Sequence, residues 1–391
     1  MVQWAKALGS TNYISAGTDW RYVDGDSQEA SYNAAPGPVV PPTQGAILAL
    51  QRVSGGTQKS LGVFVQDILT PLPKLSMTLS ARVDRWRNYD AHNLETAVIP
   101  GTATNNKPSC DTSGGAPPSC LADRSDTVLS PRAAARYQIS DRISAWGDIG
   151  AGFRAPTLNE LYRQFSIGAA VTRPNDQLGP ERLVGGELGV NVSPTRNVTV
   201  RTTWYDNRPK NQVSNITIGV NLAQRQNVGR TRIWGVQNDL EYRLGYVRFT
   251  AGYLYNQAKV TEFAANPAVV GKFLPQVPVH RSSLHVAYMN PRVANLAAGI
   301  QFLGRQFDED LNVRAVPIPA LEAAGYKSST DPGLPGYAVV DFMASRAVNR
   351  TVEVFFGVQN LFDREYFVGT LPTTVGTPRL INGGIRVRVV R

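Results

Sequence analysis

Runs in which apolar and polar side chains alternate strictly recur along most of this chain, and a period of two is the mark of a β-strand with two unlike faces. Between Leu75 and Asp84 the residues Leu75, Met77, Leu79, Ala81 and Val83 stand against Ser76, Thr78, Ser80, Arg82 and Asp84. From Tyr246 to Lys259 the odd positions carry Val247, Phe249, Ala251, Tyr253 and Tyr255, while the even ones include Arg248, Thr250, Gly252 and Asn256. Comparable sets are Ala294, Leu296, Ala298, Ile300, Phe302; Val352, Val354, Phe356, Val358; and Ile381, Gly383, Ile385, Val387, Val389, the last interleaved with Arg386 and Arg388. A tilted strand needs roughly 9 to 11 residues to cross the hydrocarbon layer. These runs reach or exceed that length, whereas strands of soluble sandwiches average about 5 or 6.

The connections alternate in length. Gly9-Ser10, Thr70 to Lys74, Ser140-Asp141, Ser193 to Arg196, Leu244-Gly245, Asn290 to Arg292 and Ala347 to Arg350 read as tight turns. Asp24 to Thr57, Asp90 to Asp126, Ala155 to Pro180, Glu262 to Pro278, Phe307 to Pro335 and Asp363 to Thr377 read as long loops rich in Pro, Gly, Asn and Ser. Outer-membrane barrels have short periplasmic turns and long extracellular loops, so every strand acquires a direction. The expectation is an all-β fold, a transmembrane antiparallel β-barrel with roughly 15 strands over residues 1–391. Such barrels close with an even number, so further strands are expected before Val2; a 22-stranded barrel lacking its first seven fits the count and the direction.

Composition is compatible with this reading. The chain has 391 residues, 42% hydrophobic and 18% charged, and no apolar run approaches the roughly 18 residues of a spanning helix. Mean hydropathy is -0.21, as expected where only alternate residues face lipid. The net charge of +10 comes without any Lys/Arg run longer than a pair, which weighs against a nucleic-acid partner. No charged segment followed by an apolar core opens the chain, so an exported protein of this kind is expected to be incomplete at its start. A soluble secreted array or propeller is the competing architecture, and the fixed-spacing repeat it requires is not found. Cys110 and Cys120, the only two cysteines, lie in a Pro/Gly/Ser/Thr-rich stretch; in an oxidising compartment a disulfide is expected, with two unrelated free thiols as the plain alternative.

Two segments carry a family resemblance. Gly152-Phe153-Arg154-Ala155-Pro156-Thr157-Leu158-Asn159-Glu160-Leu161-Tyr162 resembles the GFRAPT..EL motif of TonB-dependent outer-membrane receptors. Val358-Gln359-Asn360-Leu361-Phe362-Asp363-Arg364-Glu365-Tyr366 resembles their NLFD..Y signature on the penultimate strand, and Tyr13 to Asp26 also looks like a strand of that family. The resemblance implies a barrel filled by an N-terminal plug domain, of which nothing is recognised here. It also implies uptake of a scarce solute at the bacterial cell surface, a ferric siderophore or cobalamin in most members. Uptake is then driven through a TonB-binding box ahead of the plug. The implied partners are outer-membrane lipid and lipopolysaccharide, the plug, TonB and a small-molecule ligand such as a metal chelate. Family barrels commonly end in an aromatic residue, and this chain ends Val389-Val390-Arg391.

Read from the residues alone, the motifs have structural roles. Pro156 removes a ladder donor and ends a strand, Asn159 and Glu160 can satisfy backbone groups at the turn, and Phe362 and Tyr366 suit a membrane boundary. Folding and rim roles are therefore favoured over direct ligand contact. Arg82, Arg201, Arg248, Arg281, Arg386 and Arg388 are expected to face the lumen, paired with acids or forming a field for anionic chelates. His92 falls in a loop, while His280 and His285 are an odd number apart and take opposite faces, so no metal pair is expected. Asp308, Glu309 and Asp310 read as a solvated loop surface rather than a cation site. No phosphate loop, nucleophile elbow or HExxH stretch is present, and neither a cofactor nor an enzymatic activity is expected. A passive porin, and an adhesin or hydrolase barrel, are the rival functions.

Overall fold

A computed structural model describes residues 1–32, 47–110, 120–167, 170–315, 331–370 and 373–388. Val389, Val390 and Arg391, and parts of five of the six expected loops, lie outside the described residues. Fifteen long strands form one continuous antiparallel meander: β1 (Val2–Leu8), β2 (Asn12–Tyr32), β3 (Leu48–Leu72), β4 (Leu75–Ala97), β5 (Arg124–Ser140), β6 (Ile143–Arg154), β7 (Glu181–Thr195), β8 (Val198–Gly219), β9 (Leu222–Leu244), β10 (Val247–Glu262), β11 (His280–Asn290), β12 (Ala294–Leu303), β13 (Tyr337–Ala347), β14 (Val352–Gln359) and β15 (Leu380–Val387). Each pairs with the next along the chain. No helix among the described residues is long and apolar enough to cross a membrane; the strands do the crossing.

Register shows how alternation becomes a wall with two unlike faces. Val63 opposes Val83, Val83 opposes Leu129, and on the neighbouring strands Ala133 opposes Ile149. Residues directly opposite share a face, so one apolar sheet surface runs from Leu79 and Val83 through Leu129, Ile149, Leu188, Leu240, Leu284, Ile300 and Phe356 to Ile385, each at least 39% exposed. Such a surface is untenable in water and suits hydrocarbon. Aromatic rings bracket it. On β9, Tyr242 stacks on Phe249 near the tight turns, and Trp234 meets Tyr255 toward the loops. Eight residues separate Trp234 from Tyr242, roughly 27 Å of strand, which at a tilt near 40° spans about 20 Å of membrane normal.

All seven turns expected to be tight lie at one end, and at the other end β8 and β9 are joined by a further two-residue turn, Val220-Asn221. In two of the seven Gly9 (φ 67°) and Gly245 (φ 56°) occupy the left-handed region that a side chain would strain. At the other end several strands overrun the membrane: β2 has 21 residues, β3 25 and β4 23. This corrects two expected loops, since Asp24 to Tyr32, Leu48 to Thr57 and Asp90 to Ala97 are strand. Beyond the bilayer no lipid enforces alternation, so the ladder continues through polar sequence such as Asp24 opposite Thr57. His92 accordingly stands in β4, its Nε2 3.1 Å from Asp26. The two buried apolar clusters lie at the loop end of the wall. One gathers Ala91, Leu121, Leu161, Tyr162 and Leu178, and the other Ile216, Val228, Val260, Phe263, Val269 and Leu274.

Candidate functional site

The loop after β6 does not stand in solvent; it folds across the polar face of the wall. Pro156 is fully buried, and its carbonyl accepts a hydrogen bond from the Gln58 amide of β3 at 3.0 Å. Thr157 then caps α1 (Leu158–Tyr162): its hydroxyl accepts from Glu160 N–H while the Glu160 carboxylate accepts from Thr157 N–H, a reciprocal pair that satisfies two orphan donors. Leu161 and Tyr162 turn into the first cluster, while Phe153 stands opposite Arg182 on the outward face. Arg154, on the polar face, forks between two carboxylates, at 2.8 and 2.9 Å from Glu160 and 3.0 and 2.6 Å from Glu181. Burial pushes the Glu160 carboxyl up, but the Arg154 guanidinium and the Thr157 N–H outweigh it and hold the group below its ordinary value. Burial also pushes the Tyr162 phenol up, to about 12.

Contacts from distant strands fix the far side of this loop. Arg163 pairs with Glu29 of β2 at 2.6 Å, and Arg225 of β9 donates to the Asn159 and Arg163 carbonyls at 2.6 and 2.7 Å. Residues Ala170–Arg173 run parallel to the start of β9, with Val171 opposite Leu222. The segment thus bridges β2 and β3 to β9 over the five strands between. Arg225 and Glu181 were not singled out from sequence, because a lone charge near a strand end carries no local signal.

A second inward segment meets it. Asp310 is buried, its carboxylate accepting from Thr217 N–H at 3.0 Å and the Thr217 hydroxyl at 2.7 Å. Glu309 accepts from the N–H groups of Leu311, Val313 and Arg314, and Asp308 from the Gln276 amide. The solvated acidic surface expected here is therefore corrected for Glu309 and Asp310, which anchor backbone N–H groups because a loop folded inward must satisfy its own donors, while Asp308 meets a side-chain amide. Between the segments lies a cavity of about 550 Å³ lined by Asn159, Glu160, Asn215, Arg225, Asp308 and Arg314 among others. On the other side of α1 a second cavity of about 520 Å³ is lined by Arg52, Lys107, Tyr162, Arg173 and Asp176. Its rim includes Leu121, next to the disulfide joining Cys110 and Cys120.

The second motif occupies a separate corner. Asn360 is 4% exposed with φ 49°; its amide donates to the Arg364 and Thr377 carbonyls and its oxygen accepts from Arg364 N–H. Leu361 N–H donates to the Val340 carbonyl, the Asp363 carboxylate accepts from Arg379 N–H, and Tyr366 stacks on Tyr337 at 4.2 Å. Phe362 is exposed.

On the polar face, Arg82 pairs with Asp19 and Asp84, both at 2.6 Å, Arg248 with Glu241 at 3.2 Å and Arg386 with Glu353 at 2.9 Å. Arg201 donates to the Asn191 side chain at 2.9 Å. Arg281 opposes Leu254 and Leu303, and Arg388 N–H donates to the Thr351 carbonyl. His280 contacts Tyr253 on the apolar face, and His285 opposes Gly299 on the other. No cluster of three potential metal ligands occurs among the described residues.

A wall of this width, apolar outside and overlaid on its inner side by infolded loops, is that of a large outer-membrane receptor barrel. Residues 2–361 match the family model described as TonB dependent receptor-like, beta-barrel. This chain belongs to the TonB-dependent receptor family, outer-membrane transport proteins of bacteria rather than enzymes. Among solved structures it resembles the ferric yersiniabactin uptake receptor FyuA from Yersinia pestis (TM-score 0.69, 13% identity, 98% of this chain and 52% of that one). It also resembles the copper transporter OprC (0.69, 15%, 97% and 55%) and the ferric citrate transporter FecA in its unliganded form (0.65, 19%, 98% and 53%). The chain thus spans about half the length of these structures.

Proposed function

We propose that this barrel takes up a scarce metal chelate of the ferric siderophore class, with cobalamin as the second candidate, and that uptake draws TonB-coupled energy through a plug domain. The observation that carries the reading is the infolded segment described over 155–167 and 170–180. It narrows the outer mouth and walls two cavities of about 550 and 520 Å³ with charged and amide side chains, a volume and polarity suited to a compact, hydrogen-bonding chelate. The motif residues position the walls: Arg154, Pro156, Thr157 and Glu160 hold the loop, and Leu161 and Tyr162 seat it. Asn360, Leu361, Asp363 and Tyr366 fix a second part of the rim. Of the lumen arginines, Arg82, Arg248 and Arg386 are paired with carboxylates, which leaves Arg201, Arg281 and Arg388 to favour anionic solutes.

The test is uptake of radioiron by cells whose own chelate receptors are deleted and which express the intact protein, with catecholate, hydroxamate and carboxylate chelates and labelled cobalamin. Saturable accumulation of one class that disappears when TonB is deleted is expected. Flux that is unsaturable and indifferent to TonB would replace the receptor reading with a porin.

A further inference from the structure

The two cavities flanking α1 differ in electrical character. Four carboxylates line the first, Glu160, Asp308, Glu309 and Asp310, against two cations, Arg225 and Arg314. The second sets Arg52, Lys107 and Arg173 against Glu95 and Asp176. Most charges of the second are already engaged. Arg52 pairs with Glu95 at 2.6 Å and with Glu29 at 3.5 Å, and Asp176 accepts from the Gln177 amide at 3.2 Å. Lys107 and Arg173 are what is left: neither side chain has a hydrogen bond or an acidic partner among the described residues.

Both cations are nevertheless held by their backbones. Lys107 N–H donates to the Asn93 carbonyl of β4 at 2.8 Å, and its own carbonyl accepts from Asn93 N–H at 2.9 Å. On one side of it Asn105 N–H donates to the Glu95 carboxylate at 2.6 Å, and on the other Leu121 N–H donates to the Pro108 carbonyl at 2.9 Å. The Cys110–Cys120 disulfide then locks Ser109–Cys110 against Leu121–Ala122. Across the cavity, Arg173 ends the short strand Ala170–Arg173, which is antiparallel to Phe165–Ile167 and parallel to β9, with Arg173 opposite Gln224. Segments stitched this closely fix where their cations start from, so little ordering cost remains when a ligand arrives. Leu161 and Tyr162 of α1 line the cavity between them, and the Tyr162 hydroxyl has no hydrogen-bond partner among the described residues. Such a buried donor lacks the acceptor that native structures nearly always supply.

We propose that the second cavity is an oxyanion subsite, in which Lys107 from the β4 side and Arg173 from the β9 side grip a carboxylate or comparable anionic oxygen group of the transported solute. The inference rests on the chelate-uptake reading and narrows it to chelates that keep free anionic groups once the metal is bound. Hydrogen bonds from two cations to one anionic group are charge-assisted, and a neutral or cationic chelate offers no equivalent acceptor. The first cavity, with its surplus of carboxylates, is the poorer host for such a group.

The test reads Lys107 itself. The intact receptor in detergent is treated with an amine-acetylating reagent, and modification at residue 107 is followed by mass spectrometry. The probes are ferric citrate, an anionic ferric tris-catecholate, cationic ferrioxamine B, cyanocobalamin, which is neutral overall, and inorganic phosphate. One of the two anionic chelates should protect Lys107 at a concentration at least tenfold below that of phosphate, and ferrioxamine and cobalamin should not protect it. Lys59, exposed on β3 opposite Arg87, should react equally throughout. Arg173→Gln should raise the half-protecting concentration roughly tenfold. Acetylation of Lys107 that neither anionic chelate slows overturns the proposal, as does equal protection by the cationic or neutral probe. Phosphate that protects as well as the chelates also overturns it, since the cavity would then hold an adventitious ion only. TonB-dependent uptake without protection strikes the subsite and keeps the transport reading. Protection by a chelate that cells do not take up strikes the transport reading and leaves the anion site standing.

Discussion

Replacing Arg154 with Gln should release the infolded loop while leaving the wall intact. The guanidinium makes four charge-assisted hydrogen bonds of 2.6 to 3.0 Å, two to Glu160 of α1 and two to Glu181 of β7. Hydrogen bonds to charged groups contribute about 1.5 to 3 kcal/mol in protected settings. The Arg154 side chain is 41% exposed here, so solvent screening reduces that to about 1 to 1.5 kcal/mol per carboxylate. Arg154 and Glu181 are opposite residues of β6 and β7, so only the Glu160 arm tethers the loop; its loss is about 1 to 1.5 kcal/mol, or roughly 5- to 12-fold in the docking equilibrium at 1.4 kcal/mol per tenfold. Hydrogen exchange by mass spectrometry should show that acceleration in peptides covering 157–164, with no change in β12. Arg154→Lys should recover less than half of the protection, because a single ammonium cannot fork across two carboxylates. Exchange altered by under threefold, or altered equally in β12, would refute the tether.

The same tether should be acid-sensitive. The folded state lowers the Glu160 pKa below 4.5, so its contribution is present above that value and is lost as pH falls through the lower folded one; loop protection should hold from pH 5 to 8 and fall off below pH 4.5. Reducing Cys110–Cys120 opens a loop of sequence separation 10, worth at most about 3 kcal/mol by loop entropy, and should raise proteolysis between 105 and 124 without lowering the thermal midpoint of the barrel. Replacing Arg201, Arg281 and Arg388 together with Gln should slow uptake of an anionic chelate and spare a neutral one; equal losses for both would count against an anion-attracting lumen.

Much of the fold was legible in the sequence because its cause is local. A strand in a bilayer meets lipid on one side and water or protein on the other, so Val83 and Arg82 must take opposite faces wherever the strand ends up. Turn length then sets the direction of every strand. The same reasoning failed where the cause stops acting. Past the membrane edge the sequence of β2, β3 and β4 loses its alternation while the ladder continues, so Asp24 to Tyr32 and Asp90 to Ala97 read as loop and are strand.

The site itself was decided by tertiary structure. The motif from Gly152 to Tyr162 announced a capped turn at the end of a strand, and nothing in it announced the direction in which that turn folds. That direction rests on Arg163 meeting Glu29 across 134 residues and Arg225 reaching Asn159 across 66. Glu309 and Asp310 show the same limit, since adjacent acids look like a solvated surface until the N–H groups they anchor are in place. Periodicity reports the solvent on either side of a strand, which the sequence fixes residue by residue. Docking reports which distant donors find which acceptors, and only the folded chain brings them together.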